Sequence, residues 1–119
     1  MDSIAITKHI RCLVTEYNIV CRNFICIIVH MDFEWDDGKN DRNITKHNIS
    51  FHEAKFAFSD HRRIIVLDKK HSTLEKRYFC IGKTRSGNVA TVRFTIRNGH
   101  IRIIGAGYWR EGKKLYEQS

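Results

Sequence analysis

The sequence predicts one α+β domain in which two N-terminal helices pack on an antiparallel β-sheet and a short C-terminal helix closes the chain. Three observations carry that prediction. Two helix-start signals, Asp36 and Ser50, precede the strand-rich part. From Arg63 onward, runs of β-branched and aromatic residues are separated by turns containing Gly and Asn. The length, 119 residues, suits one domain with one modest core. A hydrophobic share of 42% beside 29% charged residues belongs to a folded chain and excludes a disordered one.

Residues 1–30 read unlike the rest. The apolar run Phe24 to Val29 falls far short of the roughly 20 residues that span a bilayer, and Arg22 interrupts any longer stretch. No basic start, long apolar region and small-residue cleavage site mark a signal peptide. The run is either an edge strand or part of an appendage. Met31 opens the orderly part, which suggests an internal start. The expected division is therefore 1–30, an extension the function does not need, and 31–119, the working domain.

Phe33 to Trp35 reads as a short strand. Asp36 is the N-cap of a helix reaching about His47, with Asn48 as its stop. Ser50 and Glu53 form a capping box for a second helix, in which Phe51, Ala54 and Phe58 recur at i, i+3 and i+7. Strands follow over Arg63 to Asp68, Arg77 to Lys83, Val89 to Arg97 and His100 to Gly105. Ser86-Gly87-Asn88 and Asn98-Gly99 separate the last three. Asn-Gly predicts a type I′ hairpin, because both residues tolerate positive φ. The chain has no proline, low-complexity tract or internal repeat, so nothing suggests a linker or solenoid.

The net charge of +8 is the footprint of a nucleic-acid or acidic-protein binder. It is concentrated: residues 60–119 hold 14 Lys or Arg against 5 Asp or Glu, while residues 31–59 hold 4 against 6. The anion-binding surface is expected in the second half. Four cysteines without framework spacing point to a reduced, cytoplasmic setting. Cys21, Cys26 and His30 lack a fourth ligand and lie in an apolar stretch, so no metal is expected.

In Val89 to Arg97, Ala90, Val92, Phe94 and Ile96 share one face, while Val89, Thr91, Arg93, Thr95 and Arg97 share the other. The first face is expected to pack and the second to meet solvent. Past the turn, His100, Arg102 and Ile104 alternate with Ile101 and Ile103, setting a second arginine-bearing row beside the first. Arg77 shares a face with Phe79 and Ile81, so alternation leaves its burial open. Forked guanidinium groups on an exposed sheet suit phosphate and base stacking; a plain solvated face has the same pattern. Lys39, Asn43, Lys46 and His47 fall on one side of the first helix, as a phosphate face or a solvent face. Of seven histidines, His47 and His100 are the acid–base candidates, His71 being assigned to a loop. Tyr108 and Trp109 precede Arg110, Lys113 and Lys114, where aromatics can stack bases or pack the last helix. No Walker loop, dinucleotide fingerprint or Ser-His-Asp order is present.

Several strings resemble the BrnT family of toxins. They are Phe33-Glu34-Trp35-Asp36 with Lys39 and Asn43, Lys46 through Phe51 with Glu53-Ala54, Glu75-Lys76-Arg77-Tyr78 before Ile81-Gly82, and Arg102 through Ala106 running to Tyr116-Glu117. The ordered match covers nearly all of Met31 to Glu117. Asn48 stands where glycine is usual. Gly105-Ala106-Gly107 stands where Ser-Ala-Arg is common, which removes a cation that Arg110 is the nearest to replace. The resemblance implies a RelE-like fold, ribosome-independent RNA cleavage, and neutralisation by a BrnA-type antitoxin with a ribbon-helix-helix portion. DNA contact then runs through the antitoxin alone.

The expected chemistry is metal-independent transesterification, in which the RNA 2′-hydroxyl attacks phosphorus and the 5′-oxygen leaves. Arg77 and Arg102 are expected to bind phosphate and offset transition-state charge, with His47 as acid or base and Lys46 beside it. Trp35, Lys39, Arg93, Arg97, Trp109, Arg110 and Lys113 make up the expected RNA-binding set. No cofactor and no membrane partner is expected. A non-catalytic RNA-binding module and a protein that engages only an acidic partner are the competing readings.

Overall fold

The structure is a computed structural model that describes residues 31–119. The run Phe24 to Val29, the Cys21, Cys26 and His30 group and the whole expected extension lie outside the described residues. The elements are β1 (Asp32–Glu34), α1 (Asp37–His47), α2 (Phe51–Ala54) tightening into a 3-10 turn (Lys55–Ser59), β2 (Ile64–Leu67), a second 3-10 turn (Lys69–His71), β3 (Arg77–Lys83), β4 (Val89–Arg97), β5 (His100–Gly107) and α3 (Arg110–Gln118).

The capping signals operate as backbone chemistry requires. Asp36 accepts the Lys39 N–H at 2.9 Å, and Asn48 closes α1 in the left-handed region, at φ 56°. Ser50 accepts the Glu53 N–H at 3.0 Å. The second half of the capping box is absent, because the Glu53 carboxylate instead takes the Arg85 guanidinium at 2.9 Å and the Ser86 N–H at 3.3 Å. Those bonds fasten α2 to the β3–β4 turn.

The strands form one sheet in the order β1-β5-β4-β3-β2. Neighbours from β2 to β5 run antiparallel, and Asn98 and Gly99 adopt φ 53° and 77° in the two-residue turn between β4 and β5. The expectation of a wholly antiparallel sheet needs correction: β1 joins β5 in parallel through Asp32–His100, Phe33–Ile101 and Glu34–Arg102. Pattern alone cannot assign this direction, since a three-residue edge strand presents the same side-chain alternation either way.

One face of the sheet packs under α2 and its 3-10 turn. Phe51, Ala54, Ala57 and Phe58 meet Cys80, Ala90, Val92, Phe94, Ile101 and Ile103 in the main core. Phe94 lies between Phe58, at 5.0 Å between ring centroids, and Tyr78, at 5.4 Å. Full burial of Phe94, at 0% exposed, contributes about 1.5–3 kcal/mol.

The opposite face does not simply meet solvent, and this corrects the two-faced reading of β4. Helix α3 covers half of it, burying Ile64, Ile81, Val89 and Tyr116 in a second cluster and leaving Thr91 7% exposed. Gly112 makes the close approach possible, because a Cβ there would stand 1.9 Å from the Thr91 hydroxyl. Asp60 latches the helix by accepting from the Tyr116 hydroxyl at 2.5 Å and the Lys83 N–H at 2.8 Å. Burial would raise the Asp60 carboxyl, but the bonds it accepts hold it below its ordinary value; burial and that same contact push the Tyr116 phenol up.

Candidate nucleic-acid interface

The half of the second face that α3 does not cover carries four arginines, although Thr95 between them is 1% exposed and donates its hydroxyl to the Lys76 carbonyl at 2.8 Å. Register sets Arg77 of β3 beside Thr95 of β4, Thr95 beside Arg102 of β5, and Arg102 beside Glu34 of β1. With strands about 4.8 Å apart, the two arginine backbones stand roughly 10 Å from each other across Thr95. Flanking rows supply Arg93, next to Phe79 and Gly105, and Arg97, next to His100. The alternation expected for β5 breaks at a bulge opposite Arg93 and Phe94: Gly105 pairs with Arg93, and Ile104 is the extra residue.

The four guanidinium groups are not equivalent. Arg102 holds Glu34 at 2.7 Å, and Arg97 holds Glu75 at 2.9 Å. Arg93 lies 3.4 Å from the Asp68 carboxylate and 5.4 Å from the Phe79 ring centroid. Arg77 alone of the four has no carboxylate partner among the described residues; its buried Nε, like that of Arg93, lacks a hydrogen-bond acceptor. An unpaired buried donor costs about 1–3 kcal/mol, which an arriving anion can offset.

Arg77 opens onto a cavity of about 450 Å³, lined also by Lys70, His71, Thr73, Leu74 and Glu75. The segment joining β2 to β3 builds it. Ser72 donates its hydroxyl to the Asp68 carbonyl at 2.5 Å and accepts the Arg77 N–H at 3.0 Å. The Asp68 N–H in turn donates to the Arg77 carbonyl at 2.8 Å. The His71 Nδ1 meets the Asp68 carboxylate at 2.9 Å. Sequence reading left His71 in a loop; the signal that could have singled it out is Asp68 three residues earlier, with Lys69 and Lys70 between.

Other expected site residues lie elsewhere. Asn43 is buried and not part of a cationic helix face: its amide donates to the carbonyls of Ile49 and Ala106 at 2.9 and 3.0 Å, and its oxygen accepts the Ala106 N–H at 3.2 Å. It thus pairs with the β5 edge beyond the end of β1. Lys39 and Lys46 are exposed on the same helix. His47 packs edge-on against Trp109 at 5.2 Å, and among the described residues no hydrogen bond or ion pair joins it or Lys46 to Arg77 or Arg102. Trp35 packs in the helical layer, against Phe51 at 6.0 Å and His52 at 4.8 Å, with the Lys55 ammonium 5.8 Å from its ring.

Trp109 covers Gly107, where a Cβ would meet its indole at 2.7 Å. The indole thus occupies the space beside the position where an arginine was expected by resemblance. Trp109, Arg110 and Lys113 line a second cavity of about 690 Å³ with Arg62 and Lys83, beside α3. The expected residues are therefore divided among the open sheet face, the flank of α1 and the α3 cleft.

Cys80 is a buried core thiol whose pKa burial pushes far up, which suits packing and not nucleophilic chemistry. Among the described residues no three His, Cys, Asp or Glu side chains group as a metal site, and no helix is long and apolar enough to cross a membrane.

A family model described as the ribonuclease toxin BrnT of type II toxin–antitoxin systems matches residues 35–112. The 1.1 Å crystal structure of the Brucella abortus ribonuclease toxin BrnT is similar in fold, with a TM-score of 0.50 over 66% of this chain and 96% of that chain, at 21% identity. No curated protein matches the chain.

Proposed function

The chain belongs to the BrnT family of ribonuclease toxins of type II toxin–antitoxin systems, and from that membership we propose that its open arginine face binds RNA and promotes metal-independent, ribosome-independent cleavage. The uncommitted Arg77 guanidinium, on the same sheet row as Arg102, is the observation that carries this reading. Transesterification makes the 2′-oxygen a nucleophile toward phosphorus and gathers negative charge on the non-bridging oxygens. Guanidinium groups fixed on a rigid strand meet that charge without reorganising in the transition state. Arg77 binds the phosphate directly, and Arg102 does so by sharing or releasing Glu34. Arg93 and Arg97 extend the track, while Lys39, Lys46, His47, Trp35 and the Trp109, Arg110 and Lys113 group lie away from it and would meet only RNA that runs on past this face.

A BrnA-type ribbon-helix-helix antitoxin as the neutralising partner, a cytoplasmic setting, a RelE-like class for the fold and an extension over residues 1–30 that activity does not need belong to the same proposal. The test is incubation of the purified protein with total RNA in EDTA, beside Arg77→Ala. The parent is expected to cleave, and the variant to be about 10²–10³-fold slower, the usual cost of removing one group that meets transition-state charge. Cleavage at the parent rate by Arg77→Ala would remove this site from consideration. The second reading, a binding module without chemistry, is favoured if RNA stays intact while binding weakens with salt.

A further inference from the structure

We propose that His71, oriented by Asp68, is the general base of this ribonuclease site; the proposal deepens the reading above and rests on it. His71 and Arg77 line the same cavity of about 450 Å³, so one side chain able to move a proton and one able to hold a phosphate border one space. That volume falls within the range of roughly 300–1,000 Å³ common to small-ligand clefts. The pairing is built into the fold. Asp68 is 4% exposed, and its carboxylate is shared between the His71 Nδ1 at 2.9 Å and the Arg93 Nε at 3.4 Å. An Nδ1–H bonded to a buried carboxylate fixes the ring and leaves Nε2 with the free lone pair, the arrangement by which a carboxylate orients a catalytic imidazole. Asp68 is thus a positioning residue. Among the described residues His47 has no comparable carboxylate partner, and it packs against Trp109 instead.

The step balances with RNA and water alone. His71 Nε2 takes the proton of the 2′-hydroxyl as O2′ bonds to phosphorus; the P–O5′ bond breaks, and its electron pair leaves on O5′. That oxygen takes a proton from water, and the proton on His71 returns to solvent. The products are a 2′,3′-cyclic phosphate and a 5′-hydroxyl. Lys70, Glu75 and Arg77 are the charged groups lining the cavity with His71, and Arg93 faces it through Asp68.

The experiment compares the full chain with His71→Ala and Asp68→Asn on a short single-stranded RNA, following cleavage rate against pH, RNA affinity, and rescue by added imidazole. His71→Ala is expected to cleave about 10²-fold more slowly or worse, with affinity changed less than the rate, loss of the acid limb of the pH profile, and partial recovery in imidazole. Asp68→Asn is expected to slow cleavage while keeping a pH-dependent rate. A cleaving parent matched in rate and pH profile by His71→Ala overturns this assignment and leaves the ribonuclease reading standing. A parent that binds RNA and leaves it intact overturns both. Because His71 is a surface residue with its side chain 40% exposed, folding of the alanine variant, checked by circular dichroism, separates lost chemistry from lost structure.

Discussion

At the scale of single residues, the molecule separates groups that its sequence presents as alike. Asn43 sits in the same polar stripe as Lys39, Lys46 and His47, yet it alone is buried, its carboxamide turning a donor and an acceptor to the same residue, Ala106, on the exposed peptide edge. Asn43→Ala should leave the Ala106 N–H and carbonyl and the Ile49 carbonyl without their partner, lowering stability by about 2–4 kcal/mol. Urea denaturation would check this, and a loss under about 0.5 kcal/mol would mean that water replaces the amide. The four sheet arginines divide the same way. Three face carboxylates that come from distant parts of the chain, so no local pattern could have singled out Arg77 as the uncommitted one.

At the scale of elements, helix starts and the last hairpin were legible because each depends on a few adjacent residues: Asp36 and Ser50 as caps, Asn98 and Gly99 with positive φ. The direction of β1 and the covering of β4 were not, because both depend on partners far along the chain. α3 shows how strict such a distant contact is. Gly112→Ala should push the helix away from Thr91 and destabilise the fold by about 1–3 kcal/mol. Adding Thr91→Ala should restore most of that loss, since the colliding hydroxyl is then gone and its buried oxygen has no hydrogen-bond partner to forfeit. Thermal melts of the two single variants and the double variant measure this; additive losses would show that Gly112 serves something other than close approach.

At the scale of the whole molecule, positive charge and covering layers together leave one sheet face of arginines, the surface proposed to meet RNA. The main core occupies one face and α3 half of the other, so the basic second half of the chain can gather its sheet arginines only on what remains. RNA affinity should therefore fall as salt rises, with a log–log slope of about −0.7 for each phosphate neutralised on a single strand. Arg77→Ala should flatten that slope by roughly one phosphate. Fluorescence anisotropy over a salt series reads both quantities, and an unchanged slope would mean that Arg77 does not meet the backbone. The charge bias toward residues 60–119 foreshadowed this surface, although Arg62, Lys83, Arg110 and Lys113 gather at a separate cleft.

By itself the sequence determined the α+β class, the places where helices begin, the hairpin that aligns β4 with β5, and the family resemblance, since each is written in neighbouring residues or in their order. Tertiary structure alone decided that β1 runs parallel, that α3 hides Thr91, that Arg77 has no carboxylate partner among the described residues, and that His71 lies against Asp68 beside it. The reason is physical. Caps and turns are short-range hydrogen bonding and backbone sterics, whereas burial and ion pairing depend on which distant strands and helices share a face, and periodicity names a face without naming what covers it.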